Sequence, residues 1–149
     1  MDGANTENKI VMVLAATNHP WDIDEALRRR LEKRIYIPLP DIEGRAALVE
    51  INLRGLEVHQ DVDYELIARS LEGYSGSDIT NVCRDASMMS LRDILATSTI
   101  EEVRKLQICD IDRPITSDDF ISAIAKCKRS VSNKDLKKYE KWMDEFGSS

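Results

Sequence analysis

One apolar run near the front of the chain, residues 10–15 (IVMVLA), limits the available folds more than any other segment. It shows no polar alternation, so it reads as a strand buried on both faces, as in a parallel sheet. One further strand-like segment follows at residues 34–38 (RIYIP), with a short helical stretch between. Two strands leave both faces and both edges without cover and make no stable parallel sheet. Residues 1–40 therefore read as the tail of a larger α/β unit, a βαβ-like crossover of right-handed sense. Residues 1–9 are polar and read as a loop.

Polar residues just beyond the carboxyl end of a buried strand stand where open parallel sheets bind ligands. Thr17 and Asn18 hold that place. The Asn18 amide both donates and accepts, so it can orient a water or a phosphate oxygen. It can equally satisfy backbone groups in the turn before Pro20. Arg28, Arg29 and Arg30 end the helical stretch, and such a cluster suits a phosphate. The same arrangement has an electrostatic reading. Asp22, Asp24 and Glu25 at the helix start and bases at its end complement the macrodipole, and Glu25–Arg29 is an i,i+4 pair. Successive helical residues turn by about 100°, so at most two of the arginines converge on one ligand.

From Asp41 onward the periodicity is helical. Asp41 caps a helix to Leu53 with Ala47, Leu48 and Ile51 inward. Asp63 caps a second over residues 64–71, with Leu66, Ile67 and Ser70 inward. Residues 72–76 break the pattern, and Ser75 with Asp78 forms a capping-box start for a longer helix. Its inward set is Ile79, Val82, Cys83, Ala86 and Met89 or Ser90. Gly76, Ser77 and Asp78 open that helix with free amides, either an anion contact or a structural glycine before a cap. Thr99 and Glu102 start a helix over 100–106, and residues 110–115 form a connector. Thr116 and Asp119 start one with Phe120, Ile121, Ile124 and Cys127 inward. Four or five such helices make a small bundle. A basic hinge, residues 126–134, leads to a last helix over 133–146 capped by Ser132. Leu136, Tyr139, Trp142, Met143 and Phe146 form one stripe on it, so this helix must dock.

A net charge of −6 over 149 residues argues against a dedicated nucleic-acid surface. Cys83, Cys109 and Cys127 form no CxxC and lie far from His19 and His59 in sequence, which leaves no zinc spacing and reads as reduced thiols. Without a long apolar run or signal pattern, the chain reads as intracellular and not membrane-inserted. GxxxxGK[ST], HExxH, GxSxG and kinase motifs are all absent, so no complete catalytic site is encoded.

The long segments VLAATNHPWDIDEALRRRLEKRIYIPLPD and EGYSGSDITNVCRDAS, with the terminal KYEKWMDEFG, resemble the second half of an AAA ATPase module. The resemblance is to the microtubule-severing and ESCRT-disassembly clade, and within it to katanin-type catalytic subunits. It implies an α/β plus all-α fold: the end of a P-loop NTPase parallel-sheet subdomain (1–40), a helical lid (41–128), then a hinge and docking C-terminal helix (129–149). It further implies that Asn18 is sensor 1, that Arg29 and Arg30 are arginine fingers acting in trans, and that Arg28 supports the helix. Gly76 and Ser77 match the sensor 2 position, and Asn52 falls near the adenosine. The implied cofactors are ATP and Mg2+, held mainly by segments upstream, so that this chain alone is inactive. The implied partners are further copies in a hexameric ring, tubulin and microtubules, and a katanin regulatory subunit. The implied location is the cytoplasm and cytoskeleton, including spindle and centrosome. Residues 106–116 are too short for the lid insertion of the ESCRT-disassembly ATPase, and spastin and fidgetin match less well over 81–87 and 139–147. A competing reading is a non-catalytic module that joins rings of the intact ATPase.

Overall fold

The computed structural model describes residues 11–97 and 113–148, and the structural statements below concern those residues. A 3-10 turn, Pro20–Asp22, precedes α1 (Glu25–Arg30). A helical body follows: α2 (Ile42–Leu53), α3 (Tyr64–Ser70), α4 (Gly76–Ser87), α5 (Met89–Thr97) and α6 (Ser117–Lys126). The chain then closes with α7 (Asn133–Phe146).

Short-range chemistry sets the helix starts. The Asp41 carboxylate accepts from the Gly44 amide, Asp63 from Glu65 and Leu66, and Ser132 Oγ from Asp135. Each such cap stabilises its helix by about 1 kcal/mol. Between α3 and α4 the chain turns at Gly73, whose φ of +78° favours glycine. A Cβ there would also meet the Arg129 guanidinium at 3.1 Å.

α4 is the centre of the body, packing against α2, α5 and α6, while α2 also packs on α3. Its buried face is Ile79, Val82, Cys83 and Ala86, as the spacing predicts, continued by Met89. Val49 and Leu53 of α2, Ile67 and Leu71 beside α3, and Phe120 and Ala123 of α6 complete the core. A parallel bridge between Val58 and Ile115 ties the loop after α2 to the approach to α6. Burial pushes the Cys83 thiol up to about 11, so it stays protonated and behaves as a small apolar group.

Several expectations are corrected. The segments read as strands, 10–15 and 34–38, form no sheet among the described residues. Leu14 is 93 % and Ile37 84 % exposed. A doubly buried strand needs neighbours on both sides, and among the described residues the only backbone partner of either segment is Ser148, bonded to Arg34. In α2 the inward face is Arg45, Val49 and Leu53 rather than Ala47 and Ile51, with Leu48 at its margin. That helix carries apolar residues all round, so periodicity does not fix its rotation. Leu66, Ser70 and Ile121 are exposed, their places being taken by Ala68, Leu71 and Ala123. The longer helix after Ser75 breaks at Met88, whose amide bonds back to Arg84 and Asp85, and α5 starts anew. The loop over 1–9, the helix over 100–106, most of the 110–115 connector and Cys109 lie outside the described residues.

Candidate nucleotide-facing site

α1 is short, and its geometry is set by both its ends. Asp24 Oδ1 accepts from the Ala26 and Leu27 amides at 2.7 and 3.0 Å, fixing the N-terminus. At the other end the Arg28 guanidinium lies 4.2 Å over the Phe146 ring. Arg29 pairs with Glu25 on an open surface, its side chain 77 % exposed, and Arg30 is exposed as well. Such a solvent-bathed i,i+4 pair contributes only about 0.3–0.5 kcal/mol, so it is easily exchanged for a better partner.

Asn18 is exposed, and its carbonyl accepts from the Tyr139 hydroxyl at 2.6 Å. Tyr139 also packs at a tilt against Trp21 and stacks on Tyr36 at ring distances of 5.1 and 5.9 Å, and Lys138 Nζ sits 3.4 Å over Trp21. The stripe on α7 therefore docks onto the stretch that carries Asn18 and α1. It brings the Asn18 turn and the arginine helix onto one support.

Gly76, Ser77 and Asn52 lie on the helical body. The Ser77 hydroxyl meets Ser75 Oγ at 2.9 Å, and the Asn52 amide donates to Leu48 O at 2.7 Å. Asn52 borders an open hollow with Thr80, Cys83, Arg84 and Ser87. A Cβ added at Gly76 would meet nothing closer than Leu48 Cδ1 at 3.8 Å, so a ligand can approach that backbone. Among the described residues no cluster of three His, Cys, Asp or Glu side chains stands ready for a metal ion.

Asp78 does something the sequence did not reveal. Its carboxylate accepts from the Ser75 amide at 3.0 Å, the Ser130 amide at 3.1 Å and the Ser130 hydroxyl at 2.8 Å. With the Tyr74 hydroxyl on Cys127 O at 3.0 Å, this fastens the hinge before α7 to the start of α4. Burial would raise the Asp78 carboxyl, but the donated hydrogen bonds outweigh it and hold it below the ordinary value. Asp119 behaves alike: burial raises it, while the Arg113 guanidinium at 2.7 and 2.8 Å and the Thr116 amide and hydroxyl bring it down. A depressed carboxylate stabilises the fold above the unfolded value of about 3.9 and stops doing so as pH falls through the folded value. Stability from these two groups should thus be level from pH 7 to about 5 and fall below about 4. Thermal melts at both ends of that range check this. Asp119→Asn should lose less on acidification than the parent, and an equal loss would remove Asp119 as the source.

Three comparisons bear on the identity of this arrangement. The family model of the AAA ATPases (ATPase family associated with various cellular activities) matches residues 1–39. The AAA+ lid domain matches 61–105, and the Vps4 C terminal oligomerisation domain matches 84–147. The ATPase-containing katanin p60 A-like 1 protein of Danio rerio is 60 % identical over 141 residues, 95 % of this chain and 29 % of the relative. The Homo sapiens protein of that name is 60 % identical over 142 residues, with the same shares. The chain thus spans about 29 % of the length of the curated relatives it matches. A crystal structure of the FIGL-1 AAA domain superposes with a TM-score of 0.76 at 34 % identity, covering 89 % of this chain and 43 % of that one. A structure described as the basis for katanin self-assembly superposes at 0.71 and 34 % identity, covering 84 % and 44 %. The chain belongs to the AAA ATPase family, as a katanin-like C-terminal region made of lid and oligomerisation elements and closely homologous to the katanin p60 A-like 1 proteins.

Proposed function

We propose that this chain is the C-terminal part of an ATP-dependent microtubule-severing ATPase that works as a hexameric ring. Residues 1–40 end the large subdomain, 41–128 form the lid, and 129–149 are the hinge and closing helix. Asn18 serves as sensor 1 and orients the attacking water. Arg29 and Arg30 reach the γ-phosphate held by the neighbouring copy, while Gly76, Ser77 and Asn52 border the nucleotide held by their own. When bound, ATP with Mg2+ supplies the phosphoanhydride to be cleaved. The acids that would hold the metal belong to an AAA nucleotide-binding half outside these residues. In a cell the ring would act on tubulin at microtubules, spindle and centrosome, and a further partner would be a katanin regulatory subunit.

The division of labour among the three arginines carries this reading. Arg28 is committed inward to Phe146, whereas Arg29 and Arg30 face solvent on the same short helix. A finger that acts on a neighbouring copy must be rigidly based and outwardly free, and this helix is both. The test is a chimera in which this chain replaces the matching segment of the human katanin p60 A-like 1 protein. The chimera should assemble with nucleotide, hydrolyse ATP and sever microtubules. Rings that form normally but neither hydrolyse nor sever would overturn the reading.

A further inference from the structure

We propose that Arg34 is a positioning residue for the arginine fingers, clamping the C-terminal turn of α1 to the C-terminal end of α7. This rests on reading Arg29 and Arg30 as fingers, and goes beyond it by naming what aims them.

A helix as short as α1 has too few internal hydrogen bonds to hold its own shape or direction. Its last turn is held from outside. Arg34 Nη2 donates to Arg28 O at 2.7 Å, and Nη1 of the same guanidinium donates to Phe146 O at 2.6 Å. One cation therefore bridges backbone carbonyls at the negative ends of two helices. The backbone closes a second link beside it. The Arg34 amide donates to Ser148 Oγ at 3.0 Å, and that hydroxyl donates to Glu32 O at 2.9 Å. Arg28, stacked over Phe146, makes the third. The direction in which Arg29 and Arg30 leave α1 is thus set by the final few residues of α7 and by Ser148.

The side-chain chemistry supports a geometric role. A guanidinium fork holds two acceptors on separate helices at fixed spacing, which the point charge of a lysine does not.

The experiment uses the chimera above with Arg34→Lys and, as a milder second variant, Ser148→Ala. Misaiming a reacting group by about 1 Å can cost about 100-fold, so Arg34→Lys should lower kcat by about 10–100-fold. The KM for ATP, and assembly on a slowly hydrolysed ATP analogue followed by sedimentation, should stay at parental values. Ser148→Ala should shift kcat in the same direction by less. In the 149-residue chain, amide exchange over residues 27–31 should quicken in both variants. Parental kcat in both variants overturns the proposal, as does loss of assembly in step with kcat, which would make the clamp merely structural. Arg29→Ala in the same background separates the two readings. If it and Arg30→Ala both keep full turnover, the finger reading fails first; if either is inactive while Arg34→Lys is fully active, only the clamp fails.

Discussion

Arg29→Ala or Arg30→Ala, made in the ring-forming chimera, is expected to lower ATP turnover by about 10³-fold or more, the order that a trans-acting arginine supplies in phosphoryl transfer. Nucleotide affinity should change little, because each nucleotide rests on the residues of the copy that binds it while the finger arrives from the neighbour. The structure makes the experiment clean. Arg29 and Arg30 are exposed and support no core contact, so their removal leaves the fold intact. Arg28→Ala would be a poorer probe, since it strips the cation from the Phe146 ring and loosens the docking of α7. Mixing Arg29→Ala copies with copies defective in nucleotide binding supplies a second readout. A finger acting in trans lets the intact finger of a binding-defective copy complete the intact site of an Arg29→Ala copy, so the mixture should regain turnover that neither variant shows alone. Near-parental turnover in both single variants would end the assignment.

Phe120→Ala should have the largest effect on stability. Phe120 is 1 % exposed and lies in the cluster with Val49, Leu71, Ile79 and Val82. Truncating a buried phenylalanine loses its transfer free energy and leaves a cavity, at a cost of about 3–5 kcal/mol. A body of this size is stable by only about 5–15 kcal/mol in total. Much of that margin would go, and denaturant melts monitored by circular dichroism should show the midpoint falling sharply. Phe120→Leu keeps most of the volume and should cost distinctly less. A shift below about 1 kcal/mol for Phe120→Ala would mean that α6 is not part of the core as described.

Both experiments depend on features of unequal legibility. The buried face of α4 was readable because Ile79, Val82, Cys83 and Ala86 recur at helical spacing between polar residues. The face of α2 was not, because Ile42, Ala46, Ala47, Val49 and Ile51 surround it and only contacts with α3 and α4 choose between them. Arg45 shows the same limit. It reads as a surface residue, yet it is buried and donates to Ala68 O and Pro40 O at 2.7 and 2.9 Å. The stripe of α7 announced that it must dock, but not onto what.

The starts of α2, α3, α4, α6 and α7, the turn at Gly73 and the existence of a docking helix at 133–146 were determined by the sequence alone, because caps and turns act across two to four residues. The same local order placed Asn18 and three arginines beside one another along the chain. Their arrangement in space was decided by tertiary contacts spanning 121 residues for Tyr139 with Asn18, 112 for Arg34 with Phe146 and 52 for Asp78 with Ser130. The apolar segments 10–15 and 34–38 mark the other side of that division. Their pattern specifies strands, but a strand forms only when a neighbour offers hydrogen bonds. Among the described residues no neighbouring strand does: the backbone of 34–38 bonds only through Arg34 to Ser148, and no ladder forms there.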